Sequence, residues 1–212
     1  MVLRKLVGLL ACTLILGTSF AMAGVPDLQE STAALATGGT TLVLYNQLDG
    51  FGNSFLQAKD INGDTYDATI TLTVRDGAGA PVVNYPAEDM WLLSRDGLLV
   101  PCPNGTAADF NTDTNGETTW ATPLAAGGYS EDLCLVVING DALTSTTGLD
   151  LMFNSPDLDG NLDVGLSDLD EFVSVYFGSY SIKADLDYNN DIGLSDLDTF
   201  VDAYFNSGPC AQ

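Results

Sequence analysis

Asp157-Leu-Asp-Gly-Asn-Leu-Asp-Val-Gly-Leu-Ser-Asp168 returns 28 residues later as Asp185-Leu-Asp-Tyr-Asn-Asn-Asp-Ile-Gly-Leu-Ser-Asp196. The correspondence runs on through Leu169, Asp170, Phe172, Val173, Tyr176 and Phe177, which fall on Leu197, Asp198, Phe200, Val201, Tyr204 and Phe205. Sixteen of the 28 positions are identical. A repeat on this scale governs the fold and is read before anything else. Each copy has two parts: oxygen-bearing side chains at alternate positions, then apolar residues at Leu166, Leu169, Phe172, Val173, Tyr176 and at Leu194, Leu197, Phe200, Val201, Tyr204. That second spacing is one face of an α-helix. Ser167 and Ser195 stand at the expected helix starts, with Asp170 and Asp198 three residues on as an acidic variant of the capping box.

The alternating oxygens match the demands of calcium, a hard cation that takes six to eight oxygens, supplied in an EF-hand loop from positions 1, 3, 5, 7, 9 and 12. The first loop offers Asp157, Asp159, Asn161, the main-chain carbonyl of Asp163, water near Gly165, and Asp168. The second offers Asp185, Asp187, Asn189, the carbonyl of Asp191, water near Gly193, and Asp196. Val164 and Ile192 fall at position 8, where an apolar side chain ties the loop to a core. Carboxylates this crowded repel, each close pair by ~1 kcal/mol even in water, and a divalent cation reverses the sign. Two calcium ions are expected. Position 6 wants positive φ and holds Leu162 in one copy and Asn190 in the other. Asn tolerates that conformation, whereas Leu costs roughly 1–2 kcal/mol there, so the first site is expected to bind more weakly or to rearrange its turn.

No helical pattern precedes either loop, and Phe153-Asn-Ser-Pro156 reads as a strand end and a linker. A duplicated loop-helix unit without the entering helix resembles the bacterial type I dockerins, over about the last 58 residues. The resemblance implies a calcium-dependent docking module whose partner is a cohesin-type or other extracellular protein. By the same resemblance, loop positions 10 and 11 contact that partner; here they are Leu166-Ser167 and Leu194-Ser195, identical in the two copies. Such near-symmetry implies binding in two orientations related by a half turn.

Upstream, residues 1–23 read as a secretory signal peptide: Arg4-Lys5, an apolar run from Leu6 to Phe20, and Ala21-Met-Ala23 as a cleavage site. That run is short for a membrane span, and the product is expected to be secreted, extracellular or at the cell surface. Its removal leaves four basic residues against 29 acidic ones, a net charge of −25. Such a balance excludes nucleic acid as a natural partner, since phosphates need cations. Residues 24–39 form an N-terminal leader, as a strand or a loose terminus. Residues 40–153 then alternate as strands do, most clearly in Asp67 to Arg75, with Ala68, Ile70, Leu72 and Val74 on one face. Pro81 to Tyr85 reads as a further strand, and seven to nine short strands in about 115 residues predict a β-sandwich. The turns Val74-Arg-Asp-Gly-Ala-Gly-Ala-Pro-Val82 and Thr112-Asp-Thr-Asn-Gly-Glu-Thr118 resemble bacterial Ig-like domains of the invasin kind. The expected fold class is thus mainly β with a small all-α calcium module: an Ig-like sandwich followed by a dockerin-type module over 154–212.

The chain has no histidine, which excludes Ser-His-Asp and Cys-His catalysis and His-ligated zinc; a non-catalytic protein is expected. Trp91, Trp120, Tyr45, Tyr66 and Tyr129 are the aromatics that a polysaccharide-stacking platform would use, against the plainer reading as core. Asp60-Ile-Asn-Gly-Asp64 and Asp109 to Gly116 are acidic but read as turns. An exported chain permits a disulfide. Cys102–Cys134 within the sandwich is the expected pair, leaving Cys210 odd, while Cys102–Cys210 would clamp the two parts together. Three functions stay open: docking, a structural calcium clamp without a partner in trans, and carbohydrate binding by the sandwich.

Overall fold

The computed structural model describes residues 24–210, so the expected signal peptide lies outside the described residues. The chain is mainly β, with two α-helices among the described residues. The clearest alternating stretch forms β5 (Ile70–Thr73), which sits between β1 (Thr32–Leu35) and β8 (Glu117–Trp120), antiparallel to both. The leader therefore contributes a strand: Ala33 and Leu35 pack on the core from β1, which makes residues 24–39 part of the β-body.

A second sheet runs β12 (Leu151–Asn154), β2 (Leu42–Tyr45), β3 (Ala58–Lys59), β4 (Thr65–Tyr66). Its β12–β2 pairing is parallel, with Asn154 opposite Tyr45. β10 (Cys134–Ile138) lies between β6 (Met90–Ser94) and β11 (Asp141–Ala142), and β7 (Leu99–Pro101) pairs with β9 (Ala126–Gly128). All four sheets close on one core that holds Leu44, Phe55, Ile70, Leu92, Trp120, Val136 and Phe153. Pro81 to Tyr85 forms no strand; only Pro81 bridges back, to Arg75, and Asn84 turns with positive φ.

Two expectations about the junction are corrected. Asn154 to Pro156 is not a loose linker, for Asn154, Ser155 and Pro156 are all buried, and β12 runs straight into the first acidic loop. Nor does Cys102 pair with Cys134. The disulfide is Cys102–Cys210, and Cys134 is a buried free thiol. The reason is strand facing: Cys134 points into the sandwich core, whereas Cys102 follows β7 on the side where Leu48, Ala125 and Leu162 gather and where the chain's end returns.

The helices are α1 (Leu166–Tyr176) and α2 (Leu194–Asn206), linked through a 3-10 turn at Ile182–Ala184. Phe172 and Phe200 stack across their interface with ring centroids 5.5 Å apart. Around them lie Leu158, Ala184, Leu186 and one residue of the β-body, Tyr45. Burial pushes the Tyr45 hydroxyl up to about 12, and Gln47 donates to it. The helical core is narrower than the sequence pattern implies, since Leu166, Val173, Leu194 and Val201 are exposed.

Candidate metal centre

Each acidic loop is a ring of backbone N–H groups closed on carboxylates, and the two rings are the same ring. In the first, Asn161 N–H and Leu162 N–H donate to the two oxygens of Asp157, at 3.1 and 3.0 Å. In the second, Asn189 N–H and Asn190 N–H donate likewise to Asp185, at 3.0 and 2.9 Å. Asp163 N–H donates to Asn161 Oδ1 and Asp191 N–H to Asn189 Oδ1. At position 12, Asp168 takes N–H bonds from Asp159 and Gly165, and Asp196 takes them from Asp187 and Gly193. The helix caps are therefore Gly165 and Gly193, with Asp168 and Asp196 as the capping acids. Ser167 and Ser195 lie two residues past the caps, within the first turn, and Asp170 and Asp198 have no capping role. One carboxylate ends the loop and starts the helix, so order in either supports the other.

These bonds bring Asp157, Asp159 and Asp168 together so that one oxygen from each lies within 4.8 Å of the others; Asp185, Asp187 and Asp196 do the same. Oxygens that share one ion at 2.3–2.6 Å lie no more than about 5.2 Å apart, a limit these separations meet. Asn161 and Asn189 sit beside the clusters, each donating its amide to the position-3 carboxylate. Asp163 and Asp191 are exposed, and their carboxylates are not among those that converge. The donor set is oxygen only, which fits a hard cation and not zinc. Asp187 Oδ1 is buried with no hydrogen-bond partner, an unpaired acceptor within the second loop.

The electrostatics agree with a site short of positive charge. Burial, with Asp168 and Asp159 adding repulsion, pushes the Asp157 carboxyl up to about 6 against the Leu162 and Asn161 bonds that lower it. Burial also raises Asp168, Asp185 and Asp196. A carboxyl raised in the folded chain binds protons that the unfolded chain has already lost. Its contribution to the metal-free fold is thus present below the unfolded value near 3.8 and is lost as pH rises through about 6. Protein held in chelator should accordingly melt lower at pH 7 than at pH 5, and any divalent cation these carboxylates hold should bind more weakly below pH 6 as protons compete. Thermal melts in chelator across that range check this; a flat profile would refute it.

The turn at position 6 keeps one form in both copies: Leu162 has φ 67° and Asn190 φ 65°. Leu162 does not rearrange the first loop. Its side chain instead packs against Leu48, Cys102 and Ala125, and that burial offsets the conformational cost. Position 4 is left-handed as well, at Gly160 and at Tyr188 (φ 53°). Tyr188 buries against Val43 and Ile182. In each loop, then, a large side chain held at positive φ reaches the β-body, from position 6 in the first and position 4 in the second, and there the repeat departs from its own symmetry.

Several residues that hold the loops carry no signal in the repeat. Gly127, in β9, lies so close beneath the Asp157 carboxylate that any side chain there would collide with it. Gly128 N–H donates to the Asp157 carbonyl at 2.8 Å. Lys59, in β3, reaches the Asp187 carbonyl at 2.7 Å, and the Tyr180 hydroxyl donates to Asp185 Oδ2 at 2.7 Å. Lys183 pairs with Glu171 and lies 5.5 Å above the Tyr129 ring. Lys59 and Lys183 stand out in the sequence only as two of the few cations in an acidic chain.

The carboxylates of the other acidic turns are not among those that converge. Asp60 accepts from Asn62 and Asp64, and Asp113 from Asn115 and Glu117. The aromatics do not share one open face: Trp120 is fully buried with its indole N–H on the Thr106 carbonyl, and Tyr45 belongs to the helical core. Leu166, Ser167, Leu194 and Ser195 are all exposed, the two leucines at 71% and 74%. Phe177 and Phe205, at the far ends of the helices, are 82% and 75% exposed. No described helix is long and apolar enough to cross a membrane.

No family model matches the chain, and no curated protein matches it. Among solved structures, the Lin-41 filamin domain is similar at 12% identity and a TM-score of 0.30, over 59% of this chain and 95% of its own. A likeness at that level carries no argument about fold or function.

Proposed function

We propose that this is a secreted, non-catalytic protein in which an Ig-like β-body carries a dockerin-like module that binds two calcium ions and docks a cohesin-type protein. The observation that carries the calcium reading is the pair of matching rings, each with three converging carboxylates and backbone donors at the same positions. A buried acceptor without a partner on Asp187 adds to it. Bound calcium supplies the charge that lets these carboxylates stay ionised side by side. The chain's own residues aim them: main-chain N–H groups fix Asp157, Asp185, Asp168 and Asp196, and the glycine-capped helices rest on the last two.

The docking reading draws on the exposed, repeated pairs Leu166-Ser167 and Leu194-Ser195. Apolar residues presented twice on helix ends fit a partner with an apolar surface. Full-length mature protein on a sensor surface should bind a purified cohesin module in calcium and release it on chelation. Changing Leu166 or Leu194 to Asp singly should cost about twofold, one of two orientations being lost. Changing both should cost more than about thirtyfold. Tight binding that survives the double change, or none to any of a panel of cohesins, would remove the docking reading.

A second reading has its own observation. Tyr45 completes the helical core, and Cys102–Cys210 ties the chain's end to the β-body. Calcium would then clamp the molecule without a partner in trans. That reading predicts the same metal binding with no docking.

A further inference from the structure

We infer that the β-body completes the second calcium loop: Asn154, the last residue of β12, is a positioning residue that holds that loop's first ligand residue and couples the two loops. The inference rests on the calcium reading above. Asn154 is 1% exposed, and its Nδ2 donates to the Asp185 carbonyl at 2.5 Å. Its Oδ1 has no partner, so the side chain's one hydrogen bond goes to the loop. An apolar residue at this strand end would leave the Asp185 carbonyl without that donor.

Asn154 is itself fixed from both sides. Its carbonyl accepts from Asn46 N–H at 2.8 Å, within the parallel β12–β2 pair. Three residues on stands Asp157, the first ligand residue of the other loop. The residues between are buried, and the Asp157 carbonyl accepts from Ser155 Oγ at 3.1 Å and from Gly128 N–H at 2.8 Å. A short buried segment therefore joins position 1 of the first loop to position 1 of the second. Support for the two loops is unequal. Asn154 and Lys59 reach the carbonyls of Asp185 and Asp187, and Tyr180 reaches the Asp185 carboxylate. An ion that orders the second loop also orders the entry to the first, and the coupling is reciprocal.

The test uses the mature chain, calcium as the probe, and titration calorimetry, with each site assigned by Asp168→Asn or Asp196→Asn. The native chain should take up two ions with positive cooperativity, the second loop binding more tightly. Asn154→Leu and Asn154→Ala should weaken the second site about tenfold or more, as loss of an outer-shell partner does, and should abolish the cooperativity. Asn46→Ala serves as control: Asn46 is equally buried, just past the end of the neighbouring strand β2, and its side chain makes no hydrogen bond. It should leave both affinities unchanged. Asn154 variants that melt lower with and without calcium yet bind both ions as the native chain does would reduce Asn154 to a structural role and overturn the inference. Independent binding of two ions by the native chain would overturn it without any variant. A native chain that takes up no calcium would instead sink the reading on which this one rests.

Discussion

Saturating calcium is expected to raise the melting temperature of the metal-stripped chain by roughly 15–30 °C. Each site filled at a thousand times its dissociation constant contributes about 4 kcal/mol to the folded state. A chain of this size shifts by about 2–4 °C per kcal/mol. The cause is the charge in each ring: three carboxylates within 4.8 Å of one another, with burial and mutual repulsion working against their ionisation. Because Asp168 and Asp196 also cap α1 and α2, the added stability should appear as helix as well as heat. Asp168→Ala and Asp196→Ala should each remove about half of the calcium-induced shift, and together all of it. Scanning calorimetry with and without calcium decides the matter. Identical melts and no binding heat would end both the docking and the clamp readings.

The second large effect is expected from Cys210→Ser, at about 4–5 kcal/mol of stability, the chain-entropy value for a loop of roughly a hundred residues. Cys102 and Cys210 are 108 residues apart in sequence, so the link restrains the unfolded chain from β8 through β12 together with the whole module. Cys210 also packs near Leu162 and Val164 of the first loop, and its loss should therefore weaken the first calcium site more than the second. Cys134→Ala is the control, since Cys134 is buried in the apolar core and forms no disulfide. Peptide mapping of oxidised protein should recover Cys102 joined to Cys210. A Cys102–Cys134 peptide, or a Cys210 that alkylates freely without denaturant, would contradict this arrangement.

Much of the candidate site was legible because an acidic loop of this kind is local. Positions 1, 3, 5 and 12 lie within twelve residues, and backbone N–H groups from the same stretch aim their side chains. The two copies confirmed each other's register before any long-range contact entered. The strands at Leu42–Tyr45 and Ile70–Thr73 were legible for a like reason, since alternation marks a buried face. The helix caps were misplaced because Ser167 is a common capping residue, whereas Asp168 reaches back to Gly165 only once the loop has closed.

What lay beyond the sequence is everything set by which surfaces meet. Leu162 is an awkward residue for a left-handed turn until Leu48, Cys102 and Ala125 are seen beside it. Asn154 is a strand end until Asp185, 31 residues away, comes within reach. Cys102 has two possible partners on spacing alone, and the facing of β10 removes one of them. The sequence by itself determined the two rings of oxygens and the helices that follow them, because those depend on bonds between near neighbours. Only the tertiary structure decided that the rings are built into the β-body, because burial and long-range pairing depend on chain segments that spacing cannot bring together.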